Sequence, residues 1–443
     1  MAWPVVGSML LTNVVELVDI AMVGRLGREA VAAVGYAAQY AHLVRTMLVA
    51  VGAGCVAVLA RAIGGAELAL ARRQLAAALL VGIGVAAPVA LVAWSAPVEL
   101  IEALHAEARV AVLAAPYFRL TLAATLLFAV SVVLESAQRA HRNMRVPFLI
   151  AGLVAVLKIA LNLLLIFGAW GLPRLGLVGA GVSSLCAESV AVISYLAAGR
   201  ITAGSGTALL PGFAELKNPL QALREVWRVS LPAVGERLVM SVALLVYFAI
   251  LARYGSSAIA AYAIGVRLLA FSWLPGLAFG AAAATLVGQA LGKGRVAEAR
   301  RAGWRAVVSA LGVMAVLGVA CAFLREPLAR VFTHDQEIID QLLPFLLMLA
   351  LAQPFMGAHF TLSGGLRGAG DTLTPLLGAT VGNWVLRIPL AFVAARAGWS
   401  IGWVWAALIV DHIARAIWYV ISFRRGRWAR PGVHARSLGA AAE

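Results

Sequence analysis

Charged side chains are scarce in this chain and uneven in sign. Of 443 residues only 13% are Asp, Glu, Lys or Arg, and 20 acidic groups stand against 36 basic ones. Soluble domains carry about a quarter charged residues, so the shortage speaks against a water-exposed globule. Cysteine is scarcer still. Cys55, Cys186 and Cys321 each fall inside an apolar run, which excludes a disulfide framework and a zinc centre and leaves three small packing side chains. There is no GxxxxGK[ST] loop, so ATP is not expected to drive the protein directly. Glycine clusters follow apolar runs rather than strands, which removes a dinucleotide fold, and no nucleophile elbow or zinc-ligand spacing occurs. A basic leader region is also missing: Met1 runs straight into an apolar span, so no cleavable signal is expected. Neither enzyme chemistry nor a cofactor is expected.

What the chain does have is apolar length. Hydrophobic residues make up 63% of it, and the mean hydropathy is +0.92. Twelve apolar spans can be traced, roughly at 2–24, 30–61, 73–95, 108–135, 145–169, 176–199, 226–253, 258–290, 302–324, 337–366, 374–396 and 400–423. Each is long enough for a hydrocarbon core of about 30 Å, which takes about 20 helical residues. Alternating ten-residue strands are absent, so a barrel is not expected. The reading is an all-α, multi-pass protein of a bacterial-type inner membrane. Arg72, Arg73, Arg139, Arg142, Lys217, Lys293, Arg300, Arg301 and the tail arginines fall in alternate loops, which predicts that both termini are cytoplasmic. The same bias accounts for the net charge of +16, so nucleic acid is not an expected partner.

An internal repeat organises the spans. Adding 228 to a first-half number aligns "WPVVG" (3–7) with "LPAVG" (231–235), and "ARAIGGAELALARR" (60–73) with "GQALGKGRVAEARR" (288–301). Pro147 meets Pro375 and Arg139 meets Arg367 at the same offset. The chain therefore reads as two parallel six-helix repeats: an N-lobe at 1–199, a cytoplasmic linker at 200–225, a C-lobe at 226–424 and a basic tail at 425–443. Two like-oriented bundles are an architecture that permits alternating access.

Several segments resemble the multidrug and toxin compound extrusion (MATE) family, particularly its NorM-like and DinF-like bacterial members. They are the "P…LVD…VGRLG" run of the first span, "ARAIGGAE…ARR" after the second, "LPGLAFGAAAATLVGQALGKG" (274–294), "GLRGAGDTLTP" (365–375) and "NWVLRIPLAF" (383–392). The resemblance implies two six-helix lobes in a V shape and export driven by protons or sodium ions.

The stretch "TNVVELVDIAMVG" (12–24) carries the first candidate site residues. An ionised carboxylate at mid-span costs about 2.5–3.5 kcal/mol, so Asp19 is expected to be paired, protonated or functional. Asp19 aligns with Tyr247 in the second repeat, so the repeat itself does not require an acid there. The resemblance implies a coupling role for Asp19, with Na+ as an alternative ion; the bland reading is a structural ion pair. Glu16 and Asn13 recur at steps of three and share a sector of about 120° with it. Glu16 is expected either to share a proton with Asp19 or to pack beside it. Lys158, in "VLKIALNLLLIFG", stands where the family usually has an amide, and Asn162 falls on the second polar position of that motif. The expectation is that Lys158 neutralises Asp19 or Glu16 in one state of the cycle; the alternative is a snorkelling lysine. Arg45 and Arg119 are further candidate partners for the N-lobe carboxylates.

In the second half, Glu236 is expected at a lobe contact near the cytoplasmic end of the seventh span. Arg367 and Asp371 are expected to brace the turn after the tenth span. The tenth span holds no acid, only His359, so a sodium site there is not expected and proton coupling in the N-lobe is favoured. Asp411, His412 and Arg415 form a cluster on the last span, and Arg267 and Arg387 should also face the interior. Trp384 and the other late tryptophans are belt or packing residues, or platforms for aromatic cations. The resulting reading is a secondary antiporter, functional as a monomer, exporting organic and cationic amphipathic compounds in exchange for H+ (or Na+). The alternatives are a flippase of lipid-linked oligosaccharides from the same superfamily, or a channel or structural membrane protein.

Overall fold

In a hydrocarbon layer every backbone N–H and C=O must find a partner within the protein, and a continuous helix provides it. The computed structural model describes residues 2–171, 173–203 and 220–429. Within them twelve helices are long and apolar enough to cross a membrane, and no strand occurs among the described residues. They are α1 (Ala2–Gly24), α2 (Arg28–Gly64), α3 (Leu68–Ser95), α4 (Ala108–Ala140), α5 (Arg145–Phe167), α6 (Leu177–Ala203), α7 (Leu220–Leu251), α8 (Ser256–Gly292), α9 (Val296–Phe332), α10 (Gln336–Gly368), α11 (Leu373–Arg396) and α12 (Ile401–Arg425). The 228-residue offset reappears in the helix boundaries. It carries both ends of α2 onto α8, both ends of α4 onto α10, and the starts of α3 and α5 onto those of α9 and α11.

Punctuation is local. Gly168 ends α5 and Gly426 ends α12, both left-handed at φ 73° and 67°, as glycine allows without a Cβ clash. Asp335 caps α10 by accepting from Glu337 N at 3.0 Å. One irregularity was not legible as a span boundary. In α11, Val381–Arg387 winds as a π-helix. Pro389 follows it and has no N–H to give the carbonyl four residues back, so the ladder is already broken there.

Two compact units divide the chain: Trp3–Ile63 with Glu67–Val234, and Gly235 onward with Gly64–Ala66. The N-terminal unit packs one core from Leu48, Val51, Leu59, Leu75 and Val133 of α2, α3 and α4. A second lies around Ala33, Ile101, Phe118, Leu122 and Ile166. In the C-terminal unit the core centres on Tyr247, Tyr262, Phe345 and Trp405, with Tyr262 stacked on Trp405 at 5.9 Å. There α8 and α10 meet backbone to backbone: a Cβ on Gly364 would collide with the main chain of Gly280. Small residues permit such an approach between membrane helices.

The division falls inside α7, at Val234 and Gly235. Residues 220–225, read from sequence as the end of the linker, are already helical, and Ala222 and Val226 pack into the core of the first unit. Gln74 of α3 ties them down by donating to Glu225 at 3.1 Å. The rest of that linker, residues 204–219, and the tail from 430 lie outside the described residues.

Candidate functional site

The N-terminal unit gathers its polar groups where α1, α5 and α6 adjoin. Lys158 Nζ pairs with Asp19 Oδ2. Asn162, one turn along the same face of α5, donates to Asp19 Oδ1, and Ser183 of α6 donates to Asn162 Oδ1. Asn162 and Ser183 are fully buried, while the Lys158 and Asp19 side chains keep 15% and 25% exposure. The carboxylate is thus compensated by one cation and one amide, and it remains reachable.

Asn13 and Glu16 are not joined to this network. Asn13 donates to the Met9 carbonyl at 2.9 Å, and Glu16 is exposed. The reason lies in helix geometry: three residues turn by about 300°, so each step of three drifts about 60°, and Asn13 faces about 120° away from Asp19. Arg119 is not a carboxylate partner either; its Nε donates to the Trp94 carbonyl at 3.0 Å.

Arg45 does meet a carboxylate, but one the sequence reading passed over. It pairs with Glu188 of α6 at 3.5 Å and lies 4.9 Å over the Phe128 ring. Ser131 of α4 donates to the other Glu188 oxygen at 3.3 Å. Glu188 stands mid-span in "LCAESVAV", so the rule that singled out Asp19 applied to it equally. On α4, Glu135 pairs with Arg139 one turn on.

The C-terminal unit holds a different constellation. Asp411 has no exposure and pairs with both Arg387 and Arg415. Arg415 Nε donates to its Oδ1 at 2.6 Å. Arg387 stands on the π-helical turn of α11 and lies 5.9 Å from the Tyr247 ring. His359 and His412 share a hydrogen bond of 3.1 Å between Nε2 and Nδ1, with their rings stacked. Two buried guanidiniums thus face one carboxylate. This reads as a packed brace, and it holds four of the residues expected to face the interior: Arg387, Asp411, His412 and Arg415. Arg267, by contrast, is exposed.

Glu236 takes Arg367 NH2 at 2.7 and 2.9 Å, so its partner lies within its own unit. That pair also displaces the expected brace between Arg367 and Asp371. Asp371 instead accepts from Thr374 N at 3.0 Å and Thr374 Oγ1 at 2.7 Å, capping α11. Trp384 is 38% exposed and donates to the Val239 carbonyl at 3.2 Å.

Two hollows lie apart from these networks. One, of about 380 Å³, is lined by Arg253, Tyr254 and Trp399; the other, of about 440 Å³, by Val81, Val85 and Trp227. Neither touches Asp19 or Asp411.

A family model described as MatE matches the chain twice, over residues 4–164 and 232–393. A probable multidrug resistance protein NorM of Thermotoga maritima is 28% identical over 98% of this chain and 93% of its own length. A protein of the same description from Deinococcus radiodurans is 30% identical over 92% and 90%. Among solved structures, the Vibrio cholerae MATE transporter VcmN in the bent form is similar at a TM-score of 0.89 and 22% identity, over 97% of either chain.

Proposed function

The chain belongs to the MatE family, and on that premise we propose that it is an antiporter exporting organic, cationic and amphipathic compounds in exchange for protons. It is a multi-pass inner-membrane transporter, not an enzyme, and needs no cofactor. The drug-like substrate class is supported by relatives described as probable multidrug resistance proteins. One monomer, with both termini cytoplasmic, is the proposed working unit.

The observation that carries the coupling reading is the Lys158 ammonium seated on Asp19. An ion can drive transport only if its binding differs in free energy between the two facing states. Here a proton entering Asp19 removes the negative charge that holds Lys158, and Asn162 and Ser183 keep the carboxyl oriented while it does so. A cationic substrate competes for the same carboxylate. Export follows if protonation and substrate occupancy exclude each other. Protons are favoured over sodium because Lys158 already occupies the position a metal cation would need.

Purified protein in liposomes tests this. With a proton gradient, drug addition is expected to dissipate the gradient in wild type and not in Asp19→Asn. A sodium gradient alone is expected to drive nothing. Lys158→Gln is expected to flatten the pH dependence of efflux. Unchanged pH dependence in that variant sinks the gating role of Lys158. Lipid scrambling without drug-dependent proton movement would instead indicate a flippase.

A further inference from the structure

A groove runs between α3 and the start of α7. Its walls are Val81, Gly84 and Val85 of α3 and Leu223, Arg224 and Trp227 of α7, around a space of about 440 Å³. The three α3 residues recur at i, i+3 and i+4, so they share one face, and Leu223 and Trp227 share one on α7. Gln74 donates to Glu225 at 3.1 Å and pins the two helices together, while Ala222 and Val226 bury the other side of α7 in the core. Gly84 keeps the space open: a Cβ there would meet nothing within 4 Å. Leu80, Ile83, Leu220 and Trp227 around it are exposed, so the groove opens on the outer, lipid-facing surface.

The groove is graded in polarity along its length. As alternate members of an antiparallel succession, α3 and α7 run the same way, and the Gln74–Glu225 bond sets one level on both. Arg224 lies at that level, close to the start of α7. Val81, Gly84 and Val85 lie two to three turns farther along α3, about 10–16 Å deeper at about 1.5 Å per residue. One end therefore offers a guanidinium and the other only hydrocarbon. Arg224 is exposed, and no carboxylate among the described residues pairs with it; Glu225 beside it is taken by Gln74. Trp227 stands just past Arg224, as indole rings do at the level of the headgroups.

We propose that this groove binds one anionic phospholipid of the surrounding bilayer, with its phosphate on Arg224 and one acyl chain along Val81, Gly84, Val85 and Leu223. The polarity of the groove is that of the lipid, charged at the membrane surface and apolar toward the middle. Arginine presents a planar fork that matches phosphate oxygens. The apolar end alone would also admit a cationic amphipathic compound, but Arg224 repels the head of such a molecule, so the proposed substrate class does not fit. Orienting the chain in the membrane needs only that Arg224 lie in its loop; the groove beneath it is a separate feature. Once bound, the lipid fastens the start of α7 to α3 beside the Gln74–Glu225 bond. The site is independent of the proposed coupling at Asp19.

The test uses the purified full chain in detergent, mixed with phosphatidylglycerol or with phosphatidylcholine carrying the same acyl chains. Native mass spectrometry reads the lipid retained, and the thermal midpoint reads its effect. Wild type is expected to retain phosphatidylglycerol in preference and to be stabilised by it, as by any ligand that binds only the folded state. Arg224→Gln is expected to weaken phosphatidylglycerol by about fivefold, the contribution of one basic group near an anionic headgroup, and to erase the preference. Gly84→Leu fills the groove without touching any charge and is expected to lower retention of both lipids. Arg73→Gln removes the same charge near the start of α3, outside the groove, and is expected to keep the preference. The proposal is overturned if wild type holds both lipids equally, if Arg73→Gln loses the preference as Arg224→Gln does, or if Gly84→Leu retains phosphatidylglycerol as well as wild type. Displacement of the lipid by glycerol 3-phosphate also overturns it, because a headgroup alone then suffices. Displacement by tetraphenylphosphonium overturns it in favour of a cationic occupant.

Discussion

At the scale of single residues, the two units treat buried charge in opposite ways. Lys158 and Asp19 form a one-to-one pair that keeps some exposure, which the proposed coupling uses. Asp411 is fully enclosed between two arginines, and removing its charge would leave both guanidiniums unpaired. Breaking a buried pair in that way costs about 3–5 kcal/mol. Asp411→Asn is therefore expected to lower the thermal unfolding midpoint in detergent substantially, while Asp19→Asn is expected to remove coupling with a much smaller loss of stability. The sequence showed Asp19, Lys158 and Asn162 as a group because each is a polar residue inside an apolar span. Glu188 carried the same signal, and its partner Arg45 lies no farther along the chain than Asn162 does from Asp19. Asn13 and Glu16 were grouped with Asp19 by a spacing of three, which drifts around a helix instead of staying on one face.

At the scale of helices, the boundaries were the most legible feature, because hydropathy, proline and glycine mark them and the repeat states them twice. What hydropathy does not carry is closeness. The contact of α8 with α10 is set by Gly280, Gly364 and Gly368, where an added Cβ would strike facing backbone. Gly364→Ala is expected to destabilise by about 1–3 kcal/mol, as overpacking does, and a lowered midpoint in detergent-solubilised protein would register it. The π-helical turn of α11 was likewise hidden, since "NWVLRIPLAF" reads as uninterrupted apolar helix until the missing N–H of Pro389 is counted.

At the scale of the whole molecule, the fold class follows from composition and the apolar spans, and the proposed cytoplasmic placement of both termini rests on loop charge alone. A fluorescent reporter that matures only in the cytoplasm, fused after Glu443, is expected to be bright, and a phosphatase active only outside is expected to be silent there. The repeat also explains why the two constellations look unrelated at a fixed offset. A π turn holds about one residue more than an α turn, so the second copy falls out of phase within α11. Counting that residue brings Lys158 into correspondence with Arg387, and Arg387 lies over Tyr247, the counterpart of Asp19. Each half thus sets a basic side chain from its fifth helix against the same position on its first. In one half that position holds an acid, the proposed coupling residue. In the other it holds a phenol ring, and the counter-charge comes from the last helix. An inserted residue and a relocated acid are enough to make one of two sibling niches a part-exposed ion pair and the other a closed clasp.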